Sequence, residues 1–296
     1  MDGEYQKNCV KKTDLYTIYR GNGRYSARDQ RELPHYDADM TLTYLKKCEG
    51  RIRIEGQRYD IRHGDIVIMN SHEIHCSEIK DGSFHERISI CMNASVLRRY
   101  LKDGADVLDI FFLREKGQGN IIPEHEVRRY GMDRVIEDAC LLSAQNDSKS
   151  NIRCTLKIME LLLLLDDFYS KIKENPISKA VSNPMVTEVI GYIDLQFSTI
   201  RDCEEIAERF FVNRCYLEHL FSRNVGIPLW NYVILKRLLY TNDLLRAGHS
   251  SKEAAISAGF TNYSNFFRLY KKNMHMTPAE YKKSFSRHFE CFTNLQ

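Results

Sequence analysis

None of the nine cysteines in this 296-residue chain forms a CxxC pair, and nine is an odd number. That argues against a disulfide framework and for a reduced, cytoplasmic compartment. Long apolar runs are missing too. The longest, Leu161–Leu165, is far too short to span a membrane, and the polar stretch from Met1 to Arg20 predicts neither a secretory leader nor a membrane partner. A strong charge of one sign is also absent: the net charge is +3, and residues 185–286 carry that whole excess. A partner that is a polyanion must therefore be held by placed contacts and by dimerisation, with salt-sensitive affinity. With 43% hydrophobic and 28% charged residues, the chain has the composition of a soluble globular protein of more than one domain.

What is present is a helical unit written twice near the C-terminus. Ile206-Ala207, Phe210-Phe211, Asn213 and then Leu217, Leu220 and Phe221 form one copy. Ala254-Ala255, Gly259-Phe260, Asn262 and then Phe266, Leu269 and Tyr270 form the other, about 49 positions later. Asp202 and Ser250 each stand three residues before a Glu, which is the spacing of a capped helix start. Asn213 and Asn262 suit the N-cap of the second helix in each copy. A short helix, a turn and a second helix make a helix-turn-helix, and two in tandem point to double-stranded promoter DNA.

Face assignment names the candidate contacts. With Leu217, Leu220 and Phe221 inward, Cys215, Glu218, His219 and Ser222 are assigned outward, and Arg223 is a further candidate DNA contact. With Phe266, Leu269 and Tyr270 inward, Tyr263, Ser264, Asn265, Phe267, Arg268 and Lys271 are outward and Lys272 is at the border. Such a helix fits the major groove, where Arg and polar groups read base edges and Lys holds phosphate. Leu229 to Ala247 lacks internal Gly and Pro and reads as a rigid helix holding the two reading heads apart, so that one protomer reaches adjacent grooves.

From Ile206-Ala207 through Tyr216-Leu217, Gly226-Ile227 and Arg237 to Ala258-Gly259-Phe260, Ser264, Phe266, Arg268, Lys271-Lys272 and Thr277-Pro278-Ala279-Glu280-Tyr281, the sequence closely resembles the DNA-binding domain of the AraC/XylS family of bacterial transcription regulators. Phe211, Thr241, His275, Ala254, Asn265 and Phe267 depart from the family pattern. Asn265, Phe267 and Cys215 alter what the reading faces offer, so no operator sequence carries over.

The period changes near the N-terminus. Leu42/Tyr44, Ile52/Ile54, Tyr59/Ile61, Ile66/Ile68 and Ile88/Ile90 alternate with polar residues as half-buried strands do, with turns at Glu49-Gly50, Glu55-Gly56 and His63-Gly64-Asp65. Many short strands predict a sandwich or small barrel. The order Gly50, Gly56, Tyr59, Gly64-Asp65, His75 resembles a cupin-type barrel, with Gly64 and His75 where the second cupin motif keeps its Gly and His. A cupin can be a metalloenzyme. The candidate ligands His35, His72, His75, His85, Glu73 and Glu86 lack the HxH-plus-Glu spacing, so no metal, cofactor or catalytic residue is expected. The reading preferred is a sugar-sized pocket lined by His35, Tyr44, His75 and Arg87.

After Asn93 the pattern is helical: Ala94–Lys102, an apolar patch over 107–113, a helix opened by Pro123-Glu124 and running to about Gln145, and another over 152–172. The run Leu161–Leu165 suits a buried core helix, a homodimer interface, or both. The expected organisation is α+β and multidomain: a cupin-like effector-sensing domain over 1–122, a helical dimerisation segment over 123–175, a linker over 176–184 and an all-α double helix-turn-helix over 185–286. The function expected is a sequence-specific transcription regulator, an activator by resemblance, responsive to a sugar-like effector and possessing RNA polymerase as a further partner. Two other readings stand beside it. One is a constitutive regulator whose barrel only dimerises, and the other is a cupin metalloenzyme fused to a DNA-binding tail.

Overall fold

The computed structural model describes residues 6–25, 36–37, 39–71, 73–145, 147–172, 183–274 and 276–283. His35, His72, His275 and most of the expected linker lie outside them. The chain divides into two compact units, Met1–Ser182 and Asn183–Gln296.

In the first unit, β1 (Gln6–Lys12), β2 (Tyr16–Arg24), β3 (Met40–Lys47), β6 (Ile66–Met69), β8 (Phe84–Met92) and β9 (Ile121–Ile122) form a six-stranded sheet in the order β1-β2-β8-β3-β6-β9. Strands β4 (Gly50–Ile54), β5 (Gln57–Ile61) and β7 (His75–Ile79) form a second sheet, ordered β5-β4-β7. Every alternating pair read from the sequence falls in a strand. Glu55-Gly56, with φ of 48° and 76°, makes the tight turn between β4 and β5.

The two faces of the large sheet have separate tasks. Ile18, Leu42, Ile66, Ile68, Ile88 and Ile90 point to one side and share a core with the helices. Those helices are α1 (Ala94–Leu101), α2 (Asp109–Phe112), α3 (Glu124–Tyr130), α4 (Met132–Ser143) and α5 (Ser148–Ile172). Their contribution includes Leu97, Phe111, Val135, Ile136, Ile158, Leu161, Leu162 and Leu165. The opposite face closes onto the small sheet through Leu45, Ile52, Ile54, Tyr59, Ile61 and Ile79.

One expectation changes here. The helix expected from Pro123 to Gln145 is broken at Gly131, whose left-handed φ of 70° ends α3 and starts α4. The run Leu161–Leu165, which suits a buried core helix, a dimer interface or both, does share the sheet's core. Leu161, Leu162 and Leu165 are buried in it, while Leu163 faces outward with Ile152 and Leu156.

The second unit is helical: α6 (Pro184–Gln196), α7 (Cys203–Arg209), α8 (Arg214–Val225), α9 (Leu229–Arg246), α10 (Ser251–Ser257) and α11 (Tyr263–Met274), followed by helical residues 278–283. Every start but that of α9, which follows Pro228, has a side-chain cap. Asp202 accepts from the Glu205 amide at 3.0 Å. Asn213 accepts from the Cys215 amide at 2.8 Å, and Asn262 from the Asn265 amide at 2.9 Å. Ser250 with Glu253 forms a reciprocal capping box. Thr277 and Glu280 do the same for the last helix.

Candidate nucleic-acid interface and effector pocket

Arg237 organises the helical unit. It is buried on α9, donates from Nε to the Phe197 carbonyl at 2.8 Å and from Nη2 to the Ile200 carbonyl at 2.5 Å, and lies over the Trp230 and Phe260 rings. Burial lowers its pKa from the usual guanidinium value. The same side chain thus closes the turn leading to α7 and supports the turn leading to α11. Helix α9, at 1.5 Å per residue about 27 Å long, spans between the two helix-turn-helix motifs of this unit.

The two turns differ in one respect. Val212 donates to the Ala207 carbonyl and Phe260 to the Ala255 carbonyl, so Phe211 and Gly259 are equivalent at a spacing of 48, with φ of 56° and 88°. Asn213 and Asn262 are 49 apart, so the second turn holds one extra residue, Thr261. A Cβ on Gly259 would collide with the Ser198 carbonyl, so glycine is required there. Phe211 adopts the same left-handed conformation with its ring 92% exposed.

On α8, Leu217, Phe221 and Val225 are buried, Leu220 is half-buried, and Cys215, His219 and Arg223 are exposed. Glu218 is half-buried and accepts from Arg214 Nε at 3.1 Å, which engages it within the helix. On α11, Phe266 and Tyr270 are buried, Leu269 is half-buried, and Ser264, Phe267, Lys271 and Lys272 are exposed. Arg268 and Asn265 are exposed as well and joined by a 3.0 Å hydrogen bond, and Tyr263 meets the Ser251 hydroxyl at 2.9 Å. Lys272 lies with the exposed residues rather than at a border.

The first unit holds a partly open pocket between its sheets. One wall is polar: Lys7 of β1, Thr41 and Thr43 of β3, and His85, Arg87, Ser89 and Cys91 of β8. Thr43 and Ser89 hydroxyls lie 3.0 Å apart. Burial, and then the Asp37 charge, push the Cys91 thiol up to about 11. From the small sheet come Ile52, Ile61 and Ile79 together with His75 and Ser77, and Val67 of β6 adds a further aliphatic side chain beside Thr43. His75 lies at the pocket, its Nδ1 3.0 Å from the Glu73 carbonyl oxygen and its Nε2 4.0 Å from Asp37.

Of the pocket residues expected from sequence, His75 and Arg87 line it and Tyr44 does not. Tyr44 has the parity of Leu42 and packs with the helical core, where burial, and then Asp133 and Glu137, push its hydroxyl up to about 12. His35 lies outside the described residues. The hydroxyl-bearing partners Thr41, Thr43 and Ser89 were missed, although they alternate with the isoleucines and leucine that marked the strands. Among the metal candidates, Glu73 is fully committed to Arg114, Asn70, Gly117 and Asn120. Glu86 faces Arg20 and Lys46. No group of three His, Cys, Asp or Glu among the described residues is arranged to hold a metal, and no helix among them is long and apolar enough to cross a membrane.

Residues 23–163 match the family model described as an AraC-like ligand binding domain, and residues 206–284 match a helix-turn-helix domain. The chain belongs to the AraC family. One relative is the HTH-type transcriptional regulator YijO of Escherichia coli K12, 30% identical over 105 residues, which take in 35% of this chain and 37% of that protein. The match therefore spans little more than a third of YijO. YdiP, an HTH-type transcriptional regulator of the same strain, is 21% identical over 271 residues, covering 88% of this chain and 83% of its own. A crystal structure of ToxT from Vibrio cholerae aligns over 94% of this chain and 97% of its own at 15% identity, with a TM-score of 0.38. In AraC-family terms, the pocket lies in the ligand-binding domain and α7–α11 make the double helix-turn-helix.

Proposed function

We propose that this AraC-family protein is a ligand-responsive, sequence-specific DNA-binding transcription regulator without enzymatic activity. The observation that carries this reading is the pair of capped helix-turn-helix units, braced by Arg237 and α9, that leave Arg223, Arg268, Lys271, Lys272 and their polar neighbours facing out. Arg268, with Asn265 fixing its guanidinium at 3.0 Å, suits bidentate readout of guanine, and Lys272 suits phosphate.

A small molecule held between the sheets shifts the population between arrangements that differ in affinity for half-sites, and by no more than its differential affinity for them. A sugar or related metabolite is the effector class first implied by the family, and activation is the sign the family implies, with RNA polymerase as the partner. Dimerisation is proposed through the outward side of α5. There the exposed Ile152, Leu156 and Leu163, with the half-buried Met159 between the last two, follow one another at spacings of four, three and four, the seam spacing of a coiled coil. Such a regulator works in the cytoplasm.

Selection of bound duplexes from a random pool tests the reading. The full-length protein is expected to enrich one motif. Arg268→Ala is expected to lose preference at one or two bases, at about 1–3 kcal/mol, whereas Lys272→Ala weakens all sequences alike and reduces the salt slope. Failure of the wild-type protein to enrich any motif would sink the proposal.

A further inference from the structure

The chemistry of the pocket wall names the effector class more narrowly than its size does, given the reading of the pocket as the effector site. Lys7 pairs with Gly21 on β2, and Gly21 pairs with Arg87 on β8. The two cationic side chains therefore flank a strand position that has no side chain, their Cα atoms two strand spacings or about 10 Å apart. The next β2 residue of that parity is again a glycine, Gly23, beside His85. The sheet thus leaves a bare strip, with Lys7 on one edge and Arg87 and His85 on the other.

Among the described lining residues Asp37 is the one carboxylate, and it faces His75. Six aliphatic side chains line the rest of the pocket and offer no hydrogen bond: Leu45, Val67 and Met69 beside the polar residues on the large sheet, and Ile52, Ile61 and Ile79 on the small sheet, where His75 and Ser77 are the polar members. A neutral sugar carries hydroxyls around its whole rim, and those pressed on the aliphatic side chains would lose water without a partner. A ligand with one anionic end and a hydrocarbon body meets both kinds of lining. Charge-assisted bonds to Arg87 and Lys7 are about twice as strong as neutral ones, and the body buries apolar surface.

We propose that the effector is a small organic carboxylate with an apolar body, its carboxylate held over the glycine strip between Arg87 and Lys7 and its hydrocarbon laid on the aliphatic side chains. The geometry gives Arg87 the orienting role, through its planar fork, and Lys7 the closing role at the mouth, where it is exposed and 4.6 Å over the Tyr19 ring.

The test is thermal unfolding and calorimetric titration of the full-length protein. The probes are butanoate, hexanoate, octanoate, benzoate and phenylacetate, each beside its primary amide, with L-arabinose and D-glucose as neutral sugars. One or more carboxylates is expected to stabilise saturably and the matching amide to bind roughly tenfold more weakly or worse. R87Q and K7Q are each expected to weaken binding by a similar factor, with R87K partly restoring it. Tyr44→Phe, on the opposite face, leaves binding unchanged. K7Q changes an exposed side chain and keeps the test open if R87Q fails to fold. Saturable binding of a sugar but of no carboxylate, an amide equal to its acid, wild-type affinity in both K7Q and R87Q, or no binding by any probe would each overturn the anion assignment. A bound sugar would leave the regulator reading standing, whereas loss of motif selection would remove the regulator reading and leave the pocket assignment standing.

Discussion

Glu73→Gln is expected to be the most damaging single-atom change in the first unit. Glu73 is wholly buried, and its carboxylate accepts four bonds. Oε2 takes the Arg114 Nη2 at 2.7 Å, the Asn70 amide at 2.9 Å and the Asn120 Nδ2 at 3.1 Å, and Oε1 takes the Gly117 amide at 2.8 Å. Arg114 is nearly as buried and also donates to the Gln118 carbonyl and to Asn120 Oδ1. The loop it anchors is held a second time by hydroxyl bonds, Tyr59 to the Gly117 carbonyl at 2.5 Å and Tyr169 of α5 to the Gly119 carbonyl at 2.6 Å. A glutamine has one acceptor where the site has donors on both sides, so its amide group faces another N–H, and Arg114 keeps a buried charge without a counter-charge. Breaking a buried pair in this way costs about 3–5 kcal/mol.

The readout separates the units. Trp230, the one tryptophan, sits on α9 and reports the helical unit, while far-UV dichroism reports both. The expected result of urea unfolding is a loss of about 3–5 kcal/mol in the sheet-unit transition with the Trp230 transition unmoved. Burial alone would raise the Glu73 pKa, but Arg114 and the amide donors outweigh it and hold it below the usual carboxylate value. The stabilisation from that depressed pKa is therefore present above the unfolded value, near 4.3, and is lost as pH falls through the folded value. The gap between wild type and Glu73→Gln should narrow as pH drops below about 4. A sheet-unit midpoint within about 0.5 kcal/mol of wild type at neutral pH would refute the reasoning, because surface substitutions already fall in that range.

Other outcomes follow from single positions. Gly259→Ala should destabilise the helical unit by about 2 kcal/mol or more, since left-handed φ and the Ser198 carbonyl both oppose a Cβ. Phe211→Gly at the equivalent turn should raise its stability by up to about 1 kcal/mol. Trp230 emission in urea measures both, and matching signs would contradict the equivalence. Tyr169→Phe removes one bond to the Gly119 carbonyl and should cost about 0.5–1.5 kcal/mol in the sheet unit, far less than Glu73→Gln. Cys91, whose thiol burial and Asp37 hold near 11, should alkylate much more slowly at about pH 8 than the exposed Cys9 and Cys215; mass spectrometry after timed iodoacetamide treatment decides this.

Periodicity made most of the fold legible. Apolar pairs at alternating positions, isoleucines in β4, β6 and β8 and Tyr59/Ile61 in β5, locate these strands because one face of each packs on a core, and caps at Asp202, Asn213, Ser250 and Asn262 locate the paired helices because orphan amides need an acceptor. The break at Gly131 was less legible, since a glycine within an apolar period reads as tolerated until its φ is known to be left-handed. Tyr44 was misplaced by residue type against parity: it shares a face with Leu42, and that face was already assigned to the core. Glu73 and Arg114 were beyond reach, because 41 residues separate two polar side chains that meet only once the loop folds over the barrel.

The same network bears on how an effector could be felt beyond its pocket. His75 lines the pocket and meets the Glu73 carbonyl, the Glu73 carboxylate holds Arg114 and Gly117, and the loop through Gly119 is tied to Tyr169 in the last turns of α5. Every link is a buried or half-buried hydrogen bond of 2.6–3.0 Å between groups with few alternative partners, so a ligand that moves His75 does work on a connected set rather than on one side chain. Contiguity alone does not establish coupling; a change in one element must bias another. Tyr169→Phe provides that measurement. If the path carries the response, the variant should bind effector with near-wild-type affinity and show a reduced effector-induced change in DNA affinity. An unchanged linkage between effector and DNA would mean that the Glu73 network only holds the loop in place.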